Sequence, residues 1–113
     1  MHTKLFSKKL LTALALFFLT SNLVFGAGIR GRLDGLGPYG PYPVAGVPVT
    51  VANPSMKWRS QPSYSDNQGM YYIYNLAPGS YVLEIWAGGP TPINFNIMVH
   101  NQPITDISPI RVK

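Results

Sequence analysis

Short alternating segments recur along the chain from residue 28 onward, each a few residues of Val, Ile, Leu, Tyr or Trp interleaved with polar or small ones. A period of two places successive side chains on opposite faces, the mark of a half-buried antiparallel strand. Residues 28–33 set Ile29, Gly31 and Leu33 on one face and Arg30 and Arg32 on the other. Residues 44–52 turn Val47, Val49 and Val51 inward against Pro48, Thr50 and Ala52, and the proline marks a strand start or an edge. A weaker strand over residues 56–65 is interrupted at Pro62, and residues 70–74 form a clear one. In residues 81–87, Tyr81, Leu83 and Ile85 alternate with Val82, Glu84 and Trp86, so Glu84 and Trp86 are expected to point outward. Residues 95–99 and 107–112 complete a set of about seven strands, the number and spacing of a β-sandwich.

The connections carry turn chemistry. Asn53-Pro54-Ser55, Asp66-Asn67-Gln68-Gly69, Asn75 to Ser80 and Gly88-Gly89-Pro90 separate the strands, and residues 34–43 read as a loop. All 11 prolines and all but one of the 11 glycines lie after residue 26, a density near that of disordered chains. Their position between apolar segments makes them punctuation instead. No window there sustains a 3.6-residue period, so the chain after residue 26 is expected to be all-β.

The first 26 residues differ in kind. A basic stretch with Lys4, Lys8 and Lys9 precedes an apolar run over residues 10–19; polar Thr20 to Asn22 and small Gly26 and Ala27 follow. This is the order of a secretory signal peptide, and the run is shorter than the roughly 20 apolar residues of a membrane span. The expected organisation is a signal peptide over residues 1–26, cleaved after Gly26 or Ala27, and one domain over residues 27–113, secreted or periplasmic and not membrane-spanning once processed. Removal of the leader changes the charge argument: the formal +5 of the chain falls to +2, with Arg30, Arg32, Lys57, Arg59, Arg111 and Lys113 facing four carboxylates. So small and dispersed a charge gives no footprint for nucleic acid. The absence of cysteine excludes disulfides and thiolate metal sites.

Residues 65–85, SDNQGMYYIYNLAPGSYVLEI, resemble the signature of carboxypeptidase regulatory-like domains, in the prealbumin-like (transthyretin-like) group. The matching residues are Asp66, Gly69, Tyr71, Ile73, Asn75, Leu76, Pro78, Gly79, Tyr81, Leu83 and Ile85; Gly28 to Gly31 and Val44 to Val49 fit the first two strands of that pattern. The resemblance implies a seven-stranded antiparallel Greek-key β-sandwich and a non-catalytic accessory or binding module. It makes Asp66, Gly69, Pro78, Gly79 and Tyr81 structural corner residues, with the Tyr81 hydroxyl returning to a backbone group as in a tyrosine corner. A transthyretin-related hydrolase would close with Tyr-Arg-Gly-Ser, where this chain has Ile110-Arg111-Val112-Lys113. A Lys-to-Asn isopeptide crosslink would want a lysine where the first strand has Arg30 and Arg32.

Catalytic chemistry has little to draw on. His100 is the only histidine after the leader and sits beside the turn-like Asn101-Gln102-Pro103; Asp34, Asp66, Glu84 and Asp106 form no pair by spacing. No metal site or cofactor is expected, and Asp66 with Asn67 falls far short of a calcium ligand set. Aromatic placement is more informative. Alternation turns Tyr72, Tyr74 and Trp86 outward, Trp58 lies between Lys57 and Arg59, and Gly37 to Pro43 displays Tyr39 and Tyr42 on an extended, polyproline-like loop. Such residues serve either cross-strand packing and spacing or a binding face. If the corner at 75–80 crosses between sheets, Tyr72 and Trp86 occupy opposite outer faces. Three functions follow: contact with an envelope or extracellular protein, carbohydrate recognition through the rings, and assembly through a strand edge at residues 56–65 or at the C-terminal strand. Protein is favoured over glycan; the oligomeric state is open.

Overall fold

A computed structural model describes residues 26–113, so the signal peptide expected over residues 1–26 lies, but for Gly26, outside the described residues. Ten strands run in order: β1 (Ala27–Gly37), β2 (Gly40–Pro43), β3 (Pro48–Asn53), β4 (Trp58–Arg59), β5 (Ser63–Tyr64), β6 (Met70–Leu76), β7 (Gly79–Ile85), β8 (Ile93–Val99), β9 (Ile104–Asp106) and β10 (Ile110–Arg111). A single 3-10 turn, Pro54–Met56, is the only helical element among the described residues.

They form two sheets. In the first, β1 is central and pairs with β2, β6, β9 and β10; in the second, β3 pairs with β4 and β5 on one side and β7 on the other, and β7 pairs with β8. The expected count of seven rises to ten for local reasons. The segment read as a loop at 34–43 is a hairpin, because β1 continues to Gly37 and pairs with β2 from Asp34↔Pro43 to Gly37↔Gly40. Pro62 splits the weak third segment into β4 and β5, and the strand expected over 107–112 shrinks to β10 while β9 forms ahead of it, where none was expected. The sandwich is also not wholly antiparallel: β9 and β10 run parallel to β1.

The alternation places the core correctly. Ile29, Leu33, Val47, Val49, Val51, Tyr71, Ile73, Tyr81, Leu83 and Ile85 are buried between the sheets with Leu76 and Val99. Pro48 begins β3, where its missing amide costs no ladder bond. Between Ala27↔Leu76 and Ile29↔Ile73 the register shifts, and Asn75 takes a left-handed φ of 62° at this bulge. From there the chain passes from β6 in the first sheet to β7 in the second.

Candidate binding surfaces

On the outer face of the first sheet, alternation along β6 sets Tyr72 and Tyr74 side by side, both exposed, with rings stacked at 6.3 Å between centroids and 12° between planes. Arg30 stands directly across from Tyr72 on β1 and across from Asp106 on β9, and its guanidinium donates to both Asp106 carboxylate oxygens. That hydrogen bond holds the Asp106 carboxyl below its usual range and raises Arg30. The Tyr74 ring lies over Gly28: a Cβ there would be 2.9 Å from Tyr74 Cδ1 and 2.8 Å from the Ile73 carbonyl oxygen. This face is therefore a flat aromatic pair bordered by an ion pair, on backbone that two strands hold in register.

The outer face of the second sheet is built differently. Glu84 leaves the core side of β7, as alternation expects, yet it is only 6% exposed. Arg59 reaches over from β4 and grips it with Nε at 2.7 Å from Oε1 and Nη2 at 2.9 Å from Oε2; the Thr50 hydroxyl donates to Oε1 at 2.8 Å. These bonds, Arg59 foremost, lower the Glu84 carboxyl below its ordinary value against the opposing effect of burial. Trp86 joins the same network. Its Nε1 donates to Thr50 Oγ1 at 2.9 Å, and the Arg59 guanidinium carbon sits 5.8 Å from its ring centroid, so Trp86 is half-buried and engaged within the domain. Thr50 and Ala52, on the same outer face, are buried as well.

Beside this network opens a groove of about 320 Å³ lined by Lys57, Trp58, Arg59, Glu84 and Asn94. Trp58 is exposed and meets Tyr81 edge-on at 6.2 Å. Tyr72 and Tyr74 thus belong to one sheet and Trp86 and Trp58 to the other; the structure assembles no single aromatic surface from them.

Tyr39 and Tyr42 lie on the β1–β2 hairpin instead of an extended loop. Tyr39 is fully exposed at the tip, whereas the Tyr42 ring covers Gly35, taking the space a Cβ would need. Gly40, with φ 110°, makes the tight reversal possible.

The corner residues make local bonds. Asp66 Oδ1 accepts from the Gln68 and Met70 amides, each at 2.9 Å, and Gly69 takes φ 76° at a position where a Cβ would lie 2.5 Å from the Leu33 carbonyl oxygen. The Tyr81 hydroxyl donates to the Ala77 carbonyl at 2.7 Å across Pro78 and Gly79, the latter at φ 148°. His100 is exposed, its amide donating to Thr105 Oγ1 at 3.0 Å, and Asp34 pairs with Arg32. Among the described residues no three His, Cys, Asp or Glu side chains come together as a metal site, and no helix is long and apolar enough to cross a membrane.

Two features escape sequence reasoning. The Arg59–Glu84 pair joins residues 25 apart, one of them on the weakest predicted strand. The other is the place of β8: the strand expected over 95–99 begins at Ile93 and forms the edge of the second sheet. Its signal was present: a seven-residue strand with neither charge nor proline.

No protein-family model matches the chain, and a search of curated proteins finds no match. Solved structures do match. The minor pilin GBS52 of Streptococcus agalactiae aligns over 79% of this chain at TM-score 0.60 and 15% identity. The major pilin subunit BcpA of Bacillus cereus aligns over 76% at TM-score 0.58 and 10% identity, and the Bacillus anthracis TIE protein over 77% at 0.57 and 14%. The chain spans 44%, 28% and 16% of those three proteins, respectively. Likeness at this identity is likeness of fold: the described residues are an all-β sandwich of the kind found in pilin proteins.

Proposed function

We propose that this chain is an exported, non-catalytic accessory or structural module that acts in the cell envelope or outside the cell by contacting another protein. In this reading residues 1–26 are a cleaved signal peptide, and residues 27–113 are a prealbumin-like domain of the carboxypeptidase regulatory-like kind. No cofactor or nucleic acid is needed. The observation that carries the reading is the stacked Tyr72–Tyr74 pair, exposed on a rigid sheet face beside the Arg30–Asp106 ion pair. Two flat rings with few rotatable bonds lose little entropy on contact, and a flanking charge pair confers orientation. Support also comes from the neighbours, since a pilin subunit is by name part of a protein assembly.

A second reading, carbohydrate binding, is favoured by the groove that Trp58, Arg59, Glu84 and Asn94 line together. One experiment separates them. The protein produced from its full chain is used as bait against an envelope extract, alongside Tyr72→Ala/Tyr74→Ala and Trp58→Ala versions whose circular dichroism matches the parent. The expected result is a protein partner retained by the parent and by Trp58→Ala and lost from the tyrosine variant. A glycan retained by the parent and lost from Trp58→Ala overturns the first reading in favour of the second, and a protein partner held equally by all three removes the tyrosine face.

A further inference from the structure

Strand β8 is hydrogen-bonded to β7 along its length, from Ile93↔Ile85 to Val99↔Gly79, and no other described strand pairs with its far side. Ile93, Phe95 and Ile97 stand opposite Ile85, Leu83 and Tyr81, which puts them on the core-facing side of the sheet. The opposing sheet covers them only in part: Ile93 is 41% and Phe95 38% exposed, where their β7 partners Ile85 and Leu83 are fully buried. Between β8 and residues 105–110 the sandwich opens into a groove of about 430 Å³ lined by Phe95, Ile97, Ile107 and Ile110. Free edges are usually blunted by charge, proline or a bulge; β8 carries neither charge nor proline and pairs without a register shift.

What such an edge accepts is an extended segment. The order of its residues identifies which. Residues 93–97 read Ile-Asn-Phe-Asn-Ile, the same in both directions. Antiparallel pairing reverses one strand against the other, so two copies of β8 related by a twofold axis at Phe95 bring Phe95 to Phe95, Ile93 to Ile97 and Asn94 to Asn96. The apolar row then extends across the seam on the core side, and amide side chains face amide side chains on the outer side, where they can bond reciprocally. No charge opposes its like. A symmetric, self-complementary patch of this kind forms a closed dimer rather than an open fibre.

We propose that the occupant of this edge is a second copy of the chain, paired β8 to β8 about Phe95 into one continuous sheet. The inference rests on reading the chain as a module of protein contact, but it uses a different surface from the tyrosine face. One seven-residue strand pair buries less than the roughly 800 Å² per partner of a standard interface. The dimer is therefore reversible and concentration-dependent.

The test is sedimentation velocity over a wide concentration range on the protein produced from its full chain, with two double variants at exposed outer-face positions. Asn94→Lys/Asn96→Lys brings lysine against lysine at both cross-strand pairs, and Asn94→Lys/Asn96→Glu brings lysine against glutamate. Thermal melts establish that both are folded. The wild type is expected to dimerise, the Lys/Lys variant to associate about tenfold more weakly or worse, and the Lys/Glu variant to recover most of that loss. A wild type that stays monomeric throughout, a Lys/Lys variant that dimerises as the wild type does, or a Lys/Glu variant that fails to recover overturns the proposal. These results are independent of partner capture: a monomer that still retains a partner through Tyr72 and Tyr74 sinks only the edge, while a β8 dimer without any such partner sinks only the tyrosine face.

Discussion

Gly31 and Tyr71 face each other across the β1–β6 pair, and the Tyr71 ring fills the space in which any other residue at position 31 would carry its Cβ. A methyl group there would lie 2.5 Å from Tyr71 Cζ and closer still to the hydroxyl oxygen. The same device recurs along the strand: Tyr74 covers Gly28 on the outer face, and Tyr42 covers Gly35 on the Gly31 side. Strand β1 can be flanked by three large rings because its glycines let them lie against bare backbone.

From this relationship, Gly31→Ala is expected to lower stability by about 1–3 kcal/mol, the usual cost of overpacking a core. Tyr71→Phe should behave oppositely. The Tyr71 hydroxyl is buried with no hydrogen-bond partner, and burial pushes the phenol above its usual pKa, so removing the oxygen is expected to be neutral or stabilising by up to about 1 kcal/mol. Urea denaturation of the two single variants and the double variant checks this; the double variant should be less destabilised than the two single effects added together.

The Arg59–Glu84 pair predicts an acid limb of stability. Glu84 has a folded-state pKa below its unfolded value, so its contribution is complete above the unfolded value of about 4.3 and is lost as pH falls through the folded one. Glu84→Gln should cost about 1–2 kcal/mol at pH 7, because Arg59 and Thr50 lose a charged acceptor, with the exposed Arg59 end screened by solvent. Between pH 7 and pH 3 the variant should lose less stability than the wild type. Denaturant midpoints at the two pH values decide it, and parallel losses in both proteins would refute it.

The hairpin predicts a contrast between its two tyrosines. Tyr39→Ala removes a fully exposed ring and should change stability by no more than about 0.5 kcal/mol. Tyr42→Ala uncovers Gly35 and should cost on the order of 1 kcal/mol by loss of a cross-strand contact. Equal effects in thermal melts would show that the β1–β2 arm is not held by Tyr42.

How far the chain's own order of residues reaches can be judged strand by strand. Ile29 and Leu33, Val49 and Val51, Tyr71 and Ile73, and Leu83 and Ile85 announce the two-sheet core by alternation alone, because a period of two is a local property of extended backbone. Turn residues are local too, and Asp66 with Gly69 could be read directly from the types that bond or bend a backbone within four positions. Alternation even assigned Tyr72 and Tyr74 to an outer face. It could not say what stands across from them. That Arg30 meets both Tyr72 and Asp106, that Arg59 crosses to Glu84, and that β9 and β10 lie parallel to β1 are matters of register between segments far apart in the chain. Cross-strand pairing is set by how the sheets stack as a whole. The same holds for Trp86 and β8. Both look outward or half-buried in sequence, yet packing gives Trp86 a hydroxyl partner and leaves β8 with an edge unpaired, since a strand's neighbours are decided only when the sheet closes around it.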